Sequence, residues 1–337
     1  MTAHSDLSSR SAELPLYEPH GPREECGVIG IYAPGESVAR LAYFGLHALQ
    51  HRGQESAGIA SSDRGELRLH KRLGLVGQIF DEESLSGLDG QIAIGHTRYS
   101  TTGSNTLPNV QPVVARGDMG EVMLGHNGNL VNAVELRQEL QRTGIQFATG
   151  SDTEVLARLI AGGEGTTWAD RVAGAFRRAR GAFSFTMLTA DSLVAARDPI
   201  GFRPLVLGRF PGVRGGWAVA SESTALDAMG AEFVRDVEAG EILTIGPQGV
   251  ESVRVASPAG TEKLCVFEYV YLARPDSVMR GRLLYEARLR MGRRRAVEHP
   301  ADADLVISVP DSAVPAAIGY AEESGLPYRE GLIKSRY

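Results

Sequence analysis

The apolar segments of this chain come as a group of strands, then a group of helices, then strands again, and that order limits what it can fold into. A strand-like run covers residues 26–32. Residues 36–52 predict a helix, because Val38, Leu41, Ala42, Leu46 and Leu49 recur on one helical face. Short strand signals punctuated by glycine follow at 56–61, 66–70, 91–98 and 121–126. Helical periods occupy 132–142, 152–161 and 168–178. A second strand group lies at 182–189, 193–196, 205–208, 217–220 and 241–245. A doubly wound sheet would alternate strand and helix throughout. The grouping predicts instead an α+β architecture of two mostly antiparallel sheets, packed together and covered by helices.

Two regions fall outside this pattern. Residues 1–25 are rich in Ser, Glu, Pro and Gly without an apolar period, and read as a disordered leader. Ser257-Pro258-Ala259-Gly260 reads as a boundary. Beyond it come a basic helical run around 282–295, a strand at 304–309, a helix at 313–324 and a strand at 327–333. The last three make a βαβ unit, the mark of a parallel α/β domain. The expected organisation is therefore a leader (1–25), a first domain (26–260) and a second domain (261–337). Domains of the latter type usually take ~100–150 residues or more, so this one reads as incomplete.

Composition narrows the partners. With 43% hydrophobic and 23% charged residues and a formal net charge of −6, the chain has neither the basic surface of a nucleic-acid binder nor attraction to an anionic membrane. No apolar run approaches the ~20 residues of a membrane span, and the leader lacks the basic start and apolar core of a secretory signal. Two cysteines in 337 residues offer no disulfide framework and suit a reducing cytoplasm.

One of those cysteines, Cys26, stands where the polar leader meets the first apolar run. It can be a small buried hydrophobe opening a strand. It can also be the first residue of a processed enzyme, whose new α-amine serves as base for the adjacent thiol. Arg98, closing a strand, has the planar fork that grips a carboxylate or makes a surface ion pair, and neighbouring His96 fits a hydrogen-bonded structural role. Asn127-Gly128 after an apolar strand signals a type I′ hairpin turn. An Asn amide beside a Gly N–H also supplies two donors for an oxyanion. Ser151 and Glu154 form a capping box that leaves the Asp152 carboxylate for a substrate ammonium. Together, Cys26, Arg98, Asn127, Gly128 and Asp152 offer a nucleophile, a carboxylate clamp, two oxyanion donors and an ammonium partner. That inventory suits an α-amino acid with a reactive acyl group at its far end.

On these residues the chain resembles the glutamine phosphoribosylpyrophosphate amidotransferases. The likeness runs through Glu25-Cys26-Gly27-Val28, Leu49-Gln50-His51-Arg52-Gly53-Gln54-Glu55, residues 95–101, 126–130 and 151–154. It continues through residues 267–277, Val309-Pro310-Asp311-Ser312 and residues 331–337. The resemblance implies a four-layer αββα N-terminal-nucleophile glutaminase domain, followed by the start of an α/β type I phosphoribosyltransferase domain. It implies that Cys26, freed by removal of residues 1–25, hydrolyses glutamine, with Asn127 and Gly128 as oxyanion donors. Arg98 and Asp152 would hold the glutamine α-carboxylate and α-ammonium, and Arg52 would lie in a loop closing over the glutamine. Ammonia would then convert phosphoribosylpyrophosphate to phosphoribosylamine, the first committed step of purine biosynthesis, with Ser312 at a magnesium–phosphoribosylpyrophosphate site. Cys265 matches the first of the cysteines that bind a 4Fe–4S cluster in one branch of the family, expected only in a full-length protein whose other ligands follow Tyr337. Full-length relatives imply a homotetramer inhibited by purine nucleotides. The alternatives are a stand-alone N-terminal-cysteine amide hydrolase, disfavoured by the βαβ unit, and an inactive fragment acting as a binding module.

Overall fold

The computed structural model describes residues 26–99, 105–213, 215–255 and 262–334. The expected leader, the boundary at 257–260, the loop residues 100–104 and the last residues, 335–337, lie outside them. Along the chain come β1 (Gly27–Tyr32), α1 (Val38–Ala48), a 3₁₀ turn (Gln50–Arg52), β2 (Ser56–Asp63), β3 (Glu66–Leu73), α2 (Val76–Ile79), α3 (Glu82–Ser86) and β4 (Ile92–Arg98). Then follow β5 (Val113–Gly117), β6 (Gly120–Leu130), α4 (Ala133–Arg142), α5 (Asp152–Ala161), α6 (Trp168–Arg178), β7 (Gly181–Leu188) and β8 (Leu193–Arg197). The first region ends with β9 (Val206–Arg209), β10 (Trp217–Ala220), α7 (Ser223–Met229), β11 (Glu232–Asp236), β12 (Glu241–Gly246) and β13 (Gly249–Arg254).

One sheet has the order β11-β9-β10-β1-β4-β2-β3 and the other β13-β12-β8-β7-β6-β5. Adjacent strands pair antiparallel. Strand alternation sends Val28 and Tyr32 of β1 toward the second sheet, where they join Ile94, Met123, Leu188, Leu193, Leu243 and Ile245 in a dry layer. Ile29 and Ile31, on the opposite face of β1, pack with Ala39, Ala42 and Leu46 of α1. On the far side of the second sheet, Leu124, Phe183 and Phe185 pack with Val155, Leu159 and Phe176. The result is the expected αββα sandwich. Most predicted elements fall within a few residues of their expected bounds. Among the missed ones, β13 has no buried face and α2 and α3 are a single turn or little more, while β5, α7 and β11 are short elements of five to seven residues.

Two local expectations are overturned. Asn127 and Gly128 do not form a hairpin turn but continue β6, opposite Ser184 and Phe183 of β7. Tertiary pairing with β7 overrides the local turn preference. The capping box at α5 is only half made. Ser151 Oγ accepts the Glu154 N–H at 3.4 Å, while the Glu154 carboxylate turns back to the N–H groups of Ala148 and Thr149 at 3.0 and 2.7 Å.

Residues 262–334 contain a π-helical turn (Glu268–Leu272), a short hairpin of β14 (Val278–Met279) and β15 (Arg282–Leu283), then α8 (Leu284–Glu298) and α9 (Val314–Ser324). The predicted βαβ unit is present in outline only. Its strands reduce to one parallel bridge, Val306 to Tyr328, and Leu305, Ile307 and Val309 are exposed, so no neighbouring strand extends the ladder among the described residues. Helices α8 and α9 touch backbone to backbone: a Cβ on Gly319 would lie 2.0 Å from the Leu289 carbonyl oxygen. Gly319→Ala is therefore expected to force the helices apart and cost about 1–3 kcal/mol. Gly212→Ala, with open space around it, should stay within about 0.5 kcal/mol of wild type in the same denaturant titration.

Candidate active site

β1 occupies the middle of its sheet, flanked by β4 and β10, and Cys26 stands immediately before it. The register sets Gly27 opposite Thr97 and Val28 opposite His96. Cys26 is buried, and its Sγ lies 3.4 Å from the Tyr99 carbonyl oxygen. Arg98 closes β4 beside it, also buried, opposite Ser56 of β2. The local sequence left a surface ion pair and an interior carboxylate clamp equally open for Arg98, and burial removes the surface alternative.

The second sheet supplies the facing wall. His96 Nε2 lies 3.1 Å from the His126 carbonyl oxygen, so the end of the sandwich that holds Cys26 also receives Asn127. The Asn127 side chain is fully buried, and neither its amide oxygen nor its amide nitrogen has a hydrogen-bond partner among the described residues. Leaving such groups unsatisfied costs about 1–3 kcal/mol each, so this amide calls for a completing partner such as an ordered water, an ion or a ligand. Gly128 has φ +143°, and a Cβ there would lie 2.1 Å from the Ala182 carbonyl oxygen, so no other residue fits. The N–H groups of His126 and Leu130 point away from β7, to Gln111 Oε1 at 2.7 Å and Asp152 Oδ2 at 2.9 Å. The two-residue alternation of a strand places the Gly128 N–H on that same edge, between them.

Asp152 is the first residue of α5, where the helix N-terminus favours a carboxylate. One of its oxygens ties α5 to the end of β6 through Leu130; the other lies 3.9 Å from His126 Nδ1. His126 Nδ1 is also 3.3 Å from Thr153 Oγ1. Burial pushes the His126 imidazolium down despite the nearby Asp152 charge. Burial likewise depresses His96 to about 3, more than offsetting its bond to the His126 carbonyl. Both rings are thus neutral, which fits the structural role expected of His96 and removes it as a base near neutral pH.

Arg52 is placed otherwise than expected. Instead of a loop at a substrate mouth, it ends the 3₁₀ turn with no solvent exposure and every guanidinium nitrogen already engaged within the chain. Nε donates to the Cys26 carbonyl oxygen at 3.3 Å. Nη1 donates to Glu222 at 2.5 Å and to Glu268 at 3.1 Å, and Nη2 to Glu268 at 2.6 Å. Desolvation opposes the Glu222 charge, but Arg52 and His51 outweigh it and hold this carboxyl well below the usual range. Neither Glu222 nor Glu268 stood out in the sequence. A buried glutamate has no local signature, although Glu268 lies inside the motif at residues 267–277.

Ser312 lines a separate cavity of about 880 Å³, together with His51, Gln54, Arg274, Asp311 and Lys334. Residues 51–54 therefore run from the support of Cys26 to the wall of this cavity. Cys265 is buried just before the π-helical turn, its carbonyl accepting the Glu268 N–H at 3.2 Å.

The glutamine amidotransferase domain family matches residues 96–228. The amidophosphoribosyltransferase of Synechococcus elongatus is 52% identical over 328 residues, covering 96% of this chain and 66% of that protein. The amidophosphoribosyltransferase of Synechocystis sp. is 48% identical over 338 residues, covering 99% of this chain and 68% of that protein. A solved glutamine phosphoribosylpyrophosphate amidotransferase from B. subtilis, complexed with ADP and GMP, superposes with a TM-score of 0.84 at 43% identity, over 93% of this chain and 67% of that one. The chain thus spans 66–68% of the length of these three proteins, just under two thirds of the first named.

The buried neutral His96 makes the site acid-labile. Its folded pKa is depressed below the ordinary 6.5, so the unfolded chain binds a proton that the folded chain refuses. Its contribution is present above pH 6.5 and lost as pH falls toward about 3. Each such proton contributes a slope of at most about 1.4 kcal/mol per pH unit. His96→Gln should flatten the decline of unfolding free energy between pH 6.5 and 4 in urea titrations, and an unchanged slope would contradict it.

Proposed function

The chain belongs to the amidophosphoribosyltransferase family, and on that premise we propose that it hydrolyses glutamine at Cys26 to supply ammonia for a phosphoribosyl transfer. Residues 26–260 act as the glutaminase domain, after removal of residues 1–25, and residues 261–337 belong to the phosphoribosyltransferase domain. The observation that carries this reading is the fully buried Asn127 amide without a partner among the described residues, on a strand edge that also presents the Gly128 N–H.

The Cys26 thiol passes its proton to the α-amine of the same residue, and the resulting thiolate attacks the glutamine side-chain carbonyl. An α-amine ordinarily titrates at ~8 and a cysteine thiol at ~8.5, close enough for that exchange. Asn127 Nδ2 and the Gly128 N–H stabilise the oxyanion of the tetrahedral intermediate. The α-amine returns the proton to the leaving nitrogen, ammonia departs, and water hydrolyses the thioester to glutamate. Arg98 holds the substrate α-carboxylate by a bidentate pair, and the Asp152 oxygen not bonded to Leu130 holds the α-ammonium. Ammonia then displaces pyrophosphate from C1 of phosphoribosylpyrophosphate in the cavity beside Ser312.

The cavity wall fits magnesium arriving with that substrate. Asp311 and Ser312 supply hard oxygen donors. Among the described residues no group of three or more His, Cys, Asp or Glu could hold a metal by itself, and magnesium commonly takes its other oxygens from substrate phosphates. When bound, it would neutralise charge on the departing pyrophosphate. An iron–sulfur cluster does not fit the residues present: Cys265 is one thiol where a cluster takes four, and the other cysteine opens β1. A cytoplasmic homotetramer with purine-nucleotide inhibition completes the reading, on the family likeness alone.

The test is ammonia release from glutamine by chain whose intact mass confirms a free Cys26 amine. Cys26→Ala should abolish release, and Asn127→Ala should lower kcat about 10²–10³-fold. Asp152→Asn should act mainly by raising KM. Processed wild-type chain without glutaminase activity would sink the proposal and leave a binding module.

A further inference from the structure

An arginine and two glutamates meet without solvent beside Cys26, and they come from three distant parts of the chain. Arg52 lies in the 3₁₀ turn, Glu222 precedes α7, and Glu268 opens the π-helical turn of the downstream segment. Exposure is 0% for the Arg52 and Glu222 side chains and 1% for Glu268. Desolvation largely cancels the attraction in such buried sets, so stability alone does not account for this one. Its geometric consequence is clearer. Glu268 takes Nη1 and Nη2 of Arg52 as a fork at 3.1 and 2.6 Å, Glu222 takes Nη1, and only Nε is left to reach the Cys26 carbonyl. The carboxylates are themselves anchored downstream. Glu222 Oε2 accepts the Ser277 hydroxyl at 2.6 Å and the Arg274 N–H at 2.9 Å. The turn carrying Glu268 is tied to α8 by Arg288, which donates to the Tyr269 and Ala273 carbonyls at 2.8 and 2.6 Å.

We propose that Glu268 is a positioning residue for the nucleophile: through the Arg52 fork it sets the carbonyl, and with it the backbone, of Cys26. The inference rests on the reading of Cys26 as the glutaminase nucleophile. It assigns Arg52 to support of that residue rather than to contact with glutamine. The two roles separate kinetically. A residue that touches glutamine in ground and transition state alike changes KM, whereas one that aims the thiol changes kcat.

Glu268→Gln removes the charge but keeps the size and one acceptor, and leaves Arg52 paired with Glu222. It should lower kcat for glutamine hydrolysis about tenfold while KM stays within about twofold. Arg52→Lys loses the planar fork that pairs with Glu268 through two nitrogens, and should lower kcat further, again with little change in KM. Combining the two should be no worse than Arg52→Lys alone, because both act through one contact. Full-length chain is used, with its leader state read by intact mass and its fold checked by thermal unfolding. The second readout is the rate of Cys26 alkylation by iodoacetamide, mapped by peptide mass, which needs no glutamine turnover and should also change in Glu268→Gln. A folded Glu268→Gln variant with wild-type kcat and wild-type alkylation would overturn the proposal. So would an Arg52→Lys variant whose only defect is a raised KM. If wild-type chain does not hydrolyse glutamine, the functional reading fails separately. The alkylation rates of wild type and Glu268→Gln then decide the positioning role: equal rates refute it.

Discussion

The dry layer between the two sheets is the constraint from which the rest of the molecule takes its geometry. Val28, Ile94, Met123, Leu193 and Leu243 close it from both sides, and β1 and β4 contribute to it in the middle of their sheet. Burying such side chains is worth about 1.5–3 kcal/mol each, enough to fix strand register, because a one-residue slip would send Val28 to the helices and Ile29 into the layer. Register is what delivers Cys26 to the strand entrance, one residue before the Gly27–Thr97 pair, and Asn127 to the same end from the other sheet.

Around that entrance the bonding is uneven in a way that separates support from chemistry. Every nitrogen of the Arg52 guanidinium is hydrogen-bonded, and Glu222 accepts from His51, Arg52, Arg274 and Ser277. Such a set is rigid, because moving any member would strand a buried charge. Asn127, in β6 of the other sheet, has an amide that nothing among the described residues satisfies. Satisfied charges beside Cys26 and an unsatisfied amide on the facing sheet are what the proposed glutaminase site would require.

The four-layer architecture and most element positions were legible because apolar period is a local property. Val38, Leu41, Ala42, Leu46 and Leu49 announce α1 without reference to anything else in the chain. Elements whose burial comes from elsewhere were not legible: β13 pairs along its whole length with β12 yet buries no face of its own. The downstream segment shows the same limit. A strand period at 304–309 predicts a ladder, but only Val306 finds a partner among the described residues.

For the site, the sequence by itself determined which chemical groups are available: a lone thiol at a polar–apolar junction, an arginine closing a strand, an Asn-Gly pair and an aspartate at a helix start. Tertiary structure alone decided where each one sits and what it bonds to. Asn127 and Gly128 read locally as a turn, and pairing with Ser184 and Phe183 of β7 makes them strand. Arg52 read locally as the end of a helix, with a loop over glutamine implied only by the resemblance, and a carboxylate 216 positions away makes it a buried strut. The physical reason is common to both. Propensity and spacing act over a few residues, whereas desolvation and hydrogen-bond satisfaction are settled only when distant segments close off water.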